Sequence, residues 1–271
     1  MDPRTAAARF RELHHGTKPL LLPNAWDAGS ARIIESCGAE AVATSSAGLA
    51  WSRGYADGGA LPVSVLLTAV SEIARVVSVP LSVDMEAGYA SDPAAIAENA
   101  FALASTGAVG VNLEDGTDRP EVLCERIAAA KRGAARAGVD LFVNARTDVY
   151  LRALAPPERA VEEAISRGLE YREAGADGLF VPAIVDPASI RQVVAGVPLP
   201  LNVLVWARLP AVSELGKLGV RRVSAGSGIA SAVHGLTRRA ARQFLEGKSY
   251  ETIFEGAVPY PELNALFAER R

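Results

Sequence analysis

The stretch TGAVGVNLED, Thr106–Asp115, decides the fold, because its opening phrase returns elsewhere in the chain. It recurs as CGAEAVATSS from Cys37, AGADGLFVPA from Ala174 and LGVRRVSAG from Leu218. Each copy reads as a helix that closes on glycine, a short turn, and an apolar run of strand length. Glycine just past a helix accepts the left-handed conformation that ends it, and the run behind it is short enough to be a buried strand.

Four further runs fit the strand role without that phrase: LLLPNA (20–25), LSVDME (81–86), LFVNART (141–147) and LNVLVW (201–206). Between the strands lie amphipathic segments at 64–78, 92–107, 120–138 and 157–175, several of which open on an acid or a proline. Those residues suit a helix N-terminus, where backbone N–H groups lack partners. Strands apolar on both faces, alternating with helices eight times over about 250 residues, predict a parallel sheet closed into a (β/α)8 barrel. An open doubly wound sheet is the alternative, but no glycine-rich dinucleotide fingerprint follows the first strand. The expectation is one barrel domain over residues 1–271, with a helix near 3–15 in front and a helical extension over 227–271 that could pack on another subunit or cap the barrel.

With 271 residues, 49% of them hydrophobic, the chain can bury a substantial core. The 28 basic and 31 acidic residues are dispersed, for a net charge of −3, which offers nothing to a nucleic acid or an anionic membrane. Two isolated cysteines, Cys37 and Cys124, have no metal or redox spacing. With no apolar leader and no span-length apolar run, the expected location is the cytoplasm.

A barrel of this type carries its chemistry at the carboxyl ends of its strands. There the sequence places Ser45 and Ser46, the acids Asp84 and Glu86, Glu114 and Asp115, then Asn144, Arg146, Thr147 and Asp148, then Asn202 and the terminal SAGSG. Neighbouring strands that end in acids repel, and a divalent cation relieves that repulsion. Asp84, Glu86 and Glu114 are therefore the candidate metal ligands, and an all-oxygen set favours Mg2+ or Mn2+. Pairing with Arg53, Arg146 or backbone amides would give the same acids a purely structural role. Arg146 could fix a carboxylate, clamp a substrate carboxylate, or do both. Ser45, Ser46 and Gly48 read as a polar turn able to hold an anionic group. Cys124 reads as a packed thiol on a helix, and no histidine stands at a strand end.

Taken together, TSSAGLAWSRGYADG, SVDMEAGY, GVNLEDG and VNARTDVY, in this order and spacing, resemble the isocitrate lyase / phosphoenolpyruvate mutase superfamily. The resemblance runs from LLPNAWDAGSARI to the last helix. It implies a (β/α)8 barrel and a homodimer or homotetramer in which the last helix is exchanged between subunits. It also implies Mg2+ surrounded, directly or through water, by Asp84, Glu86 and Glu114. Ser45 and Ser46 would bind the substrate's carboxylate end, Asp57 would be a catalytic or loop-positioning acid, and Arg146 would contact the substrate. Asn202 is added as a substrate-binding candidate.

The departures narrow the activity. The Lys-Cys-Gly-His loop of the isocitrate-type lyases is absent from EDGTDRPEVLCERI, and so are the Lys and Asn of the phosphonate mutases. The expected function is Mg2+-dependent cleavage or decarboxylation of a small 2-oxo or 2-hydroxy (di)carboxylic acid such as oxaloacetate, through a metal-stabilised enolate. Alternatives are phosphorus–carbon chemistry of the phosphonopyruvate hydrolase or mutase kind, and a barrel that binds metal without turnover.

Overall fold

The computed structural model describes residues 2–268. Nine parallel strands form one sheet: β1 Leu20–Leu22, β2 Asn24–Ala25, β3 Val42–Thr44, β4 Leu81–Asp84, β5 Ala108–Glu114, β6 Phe142–Arg146, β7 Gly178–Val181, β8 Leu201–Leu204 and β9 Arg222–Ser224. Their order is β1-β9-β8-β7-β6-β5-β4-β3-β2. The two ends of that order adjoin in sequence, separated only by Pro23. One expected first strand is thus split, its first half pairing with β9 and its second with β3. Proline has no N–H for a ladder, which accounts for a break at that residue. The ring is the expected (β/α)8 barrel.

The helices are α1 Pro3–His14, α2 Ala28–Ser36, α3 Ser46–Ser52, α4 Val63–Val76, α5 Pro93–Ser105, α6 Pro120–Arg136, α7 Ala160–Glu173, α8 Pro187–Gly196, α9 Val212–Leu218, α10 Gly228–Leu245, α11 Glu251–Phe254 and α12 Tyr260–Ala268. A one-turn 3-10 helix, Pro157–Arg159, leads into α7. The glycines of the recurring phrase behave as the sequence predicts, with φ of 90° at Gly38, 105° at Gly107, 103° at Gly175 and 96° at Gly219. Caps are local: Asp92 accepts from the Ala95 N–H at 3.2 Å and Asp186 from the Ser189 N–H at 2.8 Å, each followed by proline. The tightest helix contact joins α5 and α6, where a Cβ on Gly133 would stand 2.0 Å from the Ala97 carbonyl oxygen.

Buried apolar side chains from strands and inward helix faces form one continuous core. Helix α1 plugs the amino end of the barrel: Phe10 meets Phe142 edge-on at 5.4 Å and His14 stacks on Phe142 at 4.1 Å. The carboxyl end is left open. The extension expected over 227–271 consists of α10, α11 and α12, with 269–271 outside the described residues. Helix α12 returns to its own chain, where Arg32 Nε donates to the Leu266 carbonyl at 3.1 Å. No helix among the described residues is long and apolar enough to cross a membrane.

Candidate active site

A cavity of about 200 Å3 opens at the carboxyl end of the barrel. Of the sequence-predicted residues, Ser45, Ser46, Asp57, Asp84 and Arg146 line it together with Ser224, Gly226 and Ser227 of the terminal SAGSG. The expected polar turn at Ser45–Gly48 is instead the start of a helix. Ser45 is the N-cap of α3, and its hydroxyl oxygen accepts from the Gly48 N–H at 3.3 Å. Run together, Ser, Ala and Gly give no periodic signal, so the helix is not apparent in sequence. Asp57 reaches the cavity from an exposed loop in which Gly58 and Gly59 follow it with positive φ.

Asp84 ends β4 and is the cavity's central acid. Its Oδ2 accepts from the Ser46 N–H at 3.3 Å, while its Oδ1 is buried and has no hydrogen-bond partner. A buried carboxylate oxygen without a partner is costly unless a donor or cation meets it. Beneath it lies Arg222, fully buried, whose guanidinium is drawn down to about 9 by burial against the opposing pull of Asp84. Its Nη2 and Nε reach Asn112 and Ser224, each at 3.3 Å, and its Nη1 has no partner.

Glu86 and Glu114 do not line this cavity. They line the adjoining cavity with Tyr89 and Arg152, and among the described residues no three His, Cys, Asp or Glu side chains gather as a metal-binding group. The reason is local: β4 stops at Asp84, and Glu86 takes a φ of 46°, so strand alternation does not carry Glu86 to the face of Asp84. Left-handed backbone at Glu86 and at Tyr89 (φ 56°) is strain of the kind that collects at functional sites. Glu86 accepts from the Tyr89 hydroxyl at 2.6 Å, and burial pushes the pKa of both groups above their ordinary ranges.

Glu114 faces Arg146 at 2.5 Å. Burial, together with Asp84, Asp148 and Glu86, still pushes its carboxyl up to about 7 against the pull of that arginine. Arg146 also grips Asp148 with two N–H groups, at 2.7 and 3.1 Å. Burial opposes its charge, but the ring of acids wins and holds it firmly protonated. Arg146 is therefore both a structural tie and part of the cavity wall. Arg53 pairs with Glu72 and takes no part.

Asn202 does not line the cavity. Its amide is spent inside the barrel, accepting from Ser224 at 2.8 Å and Asn144 at 3.2 Å and donating to the Val203 carbonyl at 2.7 Å. Asp115 is buried beneath the rim, bound to Arg167 at 2.9 Å, Tyr171 at 2.7 Å and the Asp148 N–H at 2.8 Å. It fixes the strand end that carries Arg146. Cys124 packs partly buried against the core, its thiol raised by burial.

The sequence reading did not find Asn24, Asn112, Leu151, Phe180, Pro182, Leu204 or Trp206, which complete the lining. Asn24 and Asn112 carried a signal, a polar side chain in an apolar strand. The apolar members carried none, since nothing in sequence separates them from core.

The phosphoenolpyruvate phosphomutase family profile matches residues 10–245. The chain is 36% identical over 262 residues to an uncharacterised protein of Mycobacterium tuberculosis, covering 96% of each. It is 32% identical over 206 residues to 2-methylisocitrate lyase of Escherichia coli K12, covering 71% of this chain and 67% of that protein. Among solved structures, a phosphonopyruvate hydrolase complex with oxalate and Mg2+ superposes with a TM-score of 0.83 at 25% identity, over 97% of this chain and 95% of that one.

Proposed function

The chain belongs to the phosphoenolpyruvate phosphomutase family, within the isocitrate lyase / phosphoenolpyruvate mutase superfamily, and from that premise we propose that it is a divalent-cation-dependent carbon–carbon lyase. Its substrate is a small 2-oxo or 2-hydroxy acid, with oxaloacetate the simplest example. One observation carries the reading: the Asp84 carboxylate stands in the cavity beside Arg146 with one oxygen buried and unpartnered.

That oxygen suits a hard cation, and Mg2+ keeps several waters and takes few protein carboxylates, so a dispersed acid set fits it. Asp84 would hold Mg2+ or Mn2+ directly, with Glu86 and Glu114 acting through water from the adjoining cavity. When bound, the cation supplies Lewis-acid polarisation of the substrate's oxygen atoms.

The chain's own groups do the rest. The Ser45 and Ser46 hydroxyls bind the substrate's carboxylate end. Arg146, held in place by Glu114 and Asp148, presents its positive charge to the oxygen on which negative charge grows as the carbon–carbon bond breaks. Asp57, which reaches the cavity from its loop, carries a proton to or from the reacting carbon. Loss of CO2 needs no base to break the bond, which suits a cavity whose lining contains neither His nor Cys.

Two observations set the limits of this reading. Five residues, 115–119, join β5 to α6, and they hold no Lys-Cys-Gly-His motif, which argues against isocitrate-type cleavage. Among the described residues Arg146 is the only cation lining the cavity, and it is already paired with two acids, a poor match for a phosphonate dianion. Offering oxaloacetate and phosphonopyruvate in parallel with Mg2+ tests this: pyruvate and CO2 from the first are expected, and phosphate from the second alone would shift the assignment to phosphorus–carbon chemistry. Binding of the cation without turnover of either would leave a binding protein.

The assembly we propose is a homodimer or homotetramer that exchanges its C-terminal helices. Phe244, Leu245, Tyr250, Phe254 and Tyr260 on that extension are exposed, Leu245 by 83%. Large apolar side chains left exposed along one segment suit a protein contact.

A further inference from the structure

Two asparagines line the cavity, and their hydrogen bonds set them apart. Asn24 is engaged at both ends of its amide: Nδ2 donates to the Thr44 carbonyl at 2.8 Å and Oδ1 accepts from the Gly226 N–H at 2.7 Å. Asn112 is engaged at one end only. Its Oδ1 accepts from Asn144 Nδ2 at 2.9 Å and from Arg222 Nη2 at 3.3 Å, while among the described residues no group accepts from its own Nδ2.

Which end of the Asn112 amide is left over is fixed by two groups that cannot reverse their roles. The Val203 carbonyl can only accept, so Asn202 turns Nδ2 to it at 2.7 Å and Oδ1 to Asn144 at 3.2 Å. Asn144 must then offer its Nδ2, and that same Nδ2 meets Asn112. From the other side a guanidinium can only donate, so Arg222 also calls for the oxygen of Asn112. Asn144, Asn202 and Arg222 are all buried, which shields this relay from competing solvent. Its outcome is a donor, not an acceptor, left to the cavity.

Resting on the reading above, we infer that Asn112 is a further substrate-binding residue, whose Nδ2–H donates to an oxygen of the 2-oxo acid beside the cation at Asp84. Asn112 is the register partner of Asp84 across β4 and β5, so donor and carboxylate stand side by side at the strand ends. A ligand that displaces solvent from this position must supply an acceptor, or leave the donor unpaired at a cost. A 2-oxo acid offers acceptors only. The hydrogen bond strengthens as negative charge grows on the enolate, and the buried relay holds the donor ready for it.

Oxalate, a planar dianion shaped like the enolate of a 2-oxo acid, tests this without requiring turnover. It is titrated in a calorimeter, with saturating Mg2+ at mildly alkaline pH, into the wild-type protein, Asn112→Leu and Asn112→Asp. The leucine removes donor and acceptor together, whereas the aspartate removes the donor and keeps an oxygen for Asn144 and Arg222. Both variants are expected to bind oxalate at least about tenfold more weakly than the wild type. A loss in the leucine variant alone would make Asn112 a structural tie, and a loss in the aspartate variant alone would be charge repulsion. Either result, or no loss in both, overturns the proposal and leaves the lyase reading standing. In the wild type itself, the Asn112 side-chain amide protons should move downfield in the NMR spectrum when oxalate and Mg2+ are added. Unmoved protons overturn the proposal whatever the variants do. No Mg2+-dependent binding of oxalate to the wild type overturns both readings. The expected losses with no cleavage of any 2-oxo acid overturn the lyase reading alone.

Discussion

Arg146 Nη1 stands 2.5 Å from Glu114 Oε2, and the two residues are also register partners across β5 and β6. The pair joins the two cavities at the barrel mouth: Arg146 lines one and Glu114 the other. Asp148 completes a clamp on the same guanidinium. A site held this way keeps its charge in place before substrate arrives, which is what electrostatic catalysis requires.

Arg146→Lys keeps the charge but loses the planar fork. The expected loss in kcat/KM on oxaloacetate is about 100-fold, measured by coupled pyruvate assay. Arg146→Ala also leaves Glu114 without its ion-pair partner, while Asp148 keeps Arg152, and urea unfolding should show a loss of about 3 kcal/mol. Equal activity of the lysine variant and wild type would remove Arg146 from the chemistry.

Asp84 makes cation binding visible as stability. With Mg2+ or Mn2+ at about 100 times its Kd, the wild-type protein should gain about 2.7 kcal/mol, or roughly 5–10 °C in Tm. Asp84→Asn should show no such rise in the same thermal scan. A rise that persists in the variant would place the cation elsewhere.

His14 gives the molecule an acid-sensitive floor. Its Nδ1 lies 2.7 Å from the Phe10 carbonyl, its Nε2 is buried without a partner, and burial, with Arg222 and other nearby cations, pushes the imidazole down to about 3. Unfolding releases it to an ordinary value near 6.5, so the unfolded chain takes up a proton that the folded chain refuses. The related stability is complete above pH 6.5 and falls as pH drops towards 3. Between pH 7 and 4.5 it should account for about 2.5 kcal/mol. That loss should be absent in His14→Leu, measured by urea unfolding at the two pH values.

Light scattering on the eluted protein should give a mass of two or four chains. Phe244→Glu with Leu245→Glu should reduce it to one without unfolding the barrel, because neither side chain belongs to the core. A monomeric wild type would refute the exchanged extension.

The barrel was legible because its signals are local. Gly38, Gly107, Gly175 and Gly219 end helices by their own conformational freedom, and the runs behind them are too short for anything but strands. Asp84 and Arg146 were legible for the same reason, as polar residues at strand ends. The orientation of Glu86 was not legible, because β4 ends at Asp84 and the backbone at Glu86 turns left-handed. Asn202 was misplaced because its strand runs on beyond it, leaving its amide below the rim among Asn144 and Ser224. Phe180, Leu204 and Trp206 could be read only once the ring set them opposite Ser45 and Asp84, for their chemistry depends on what they face.

Asp84 is the residue on which metal-dependent bond cleavage is expected to depend. The direct measurement is pyruvate release from oxaloacetate with Mg2+, corrected for the rate with Mg2+ alone, for the wild-type protein and for Asp84→Ala. The expected result is release above that background by the wild type, abolished by chelator and reduced at least roughly 100-fold in the variant. Equal rates in the two proteins, or wild-type activity that survives chelation, would contradict it.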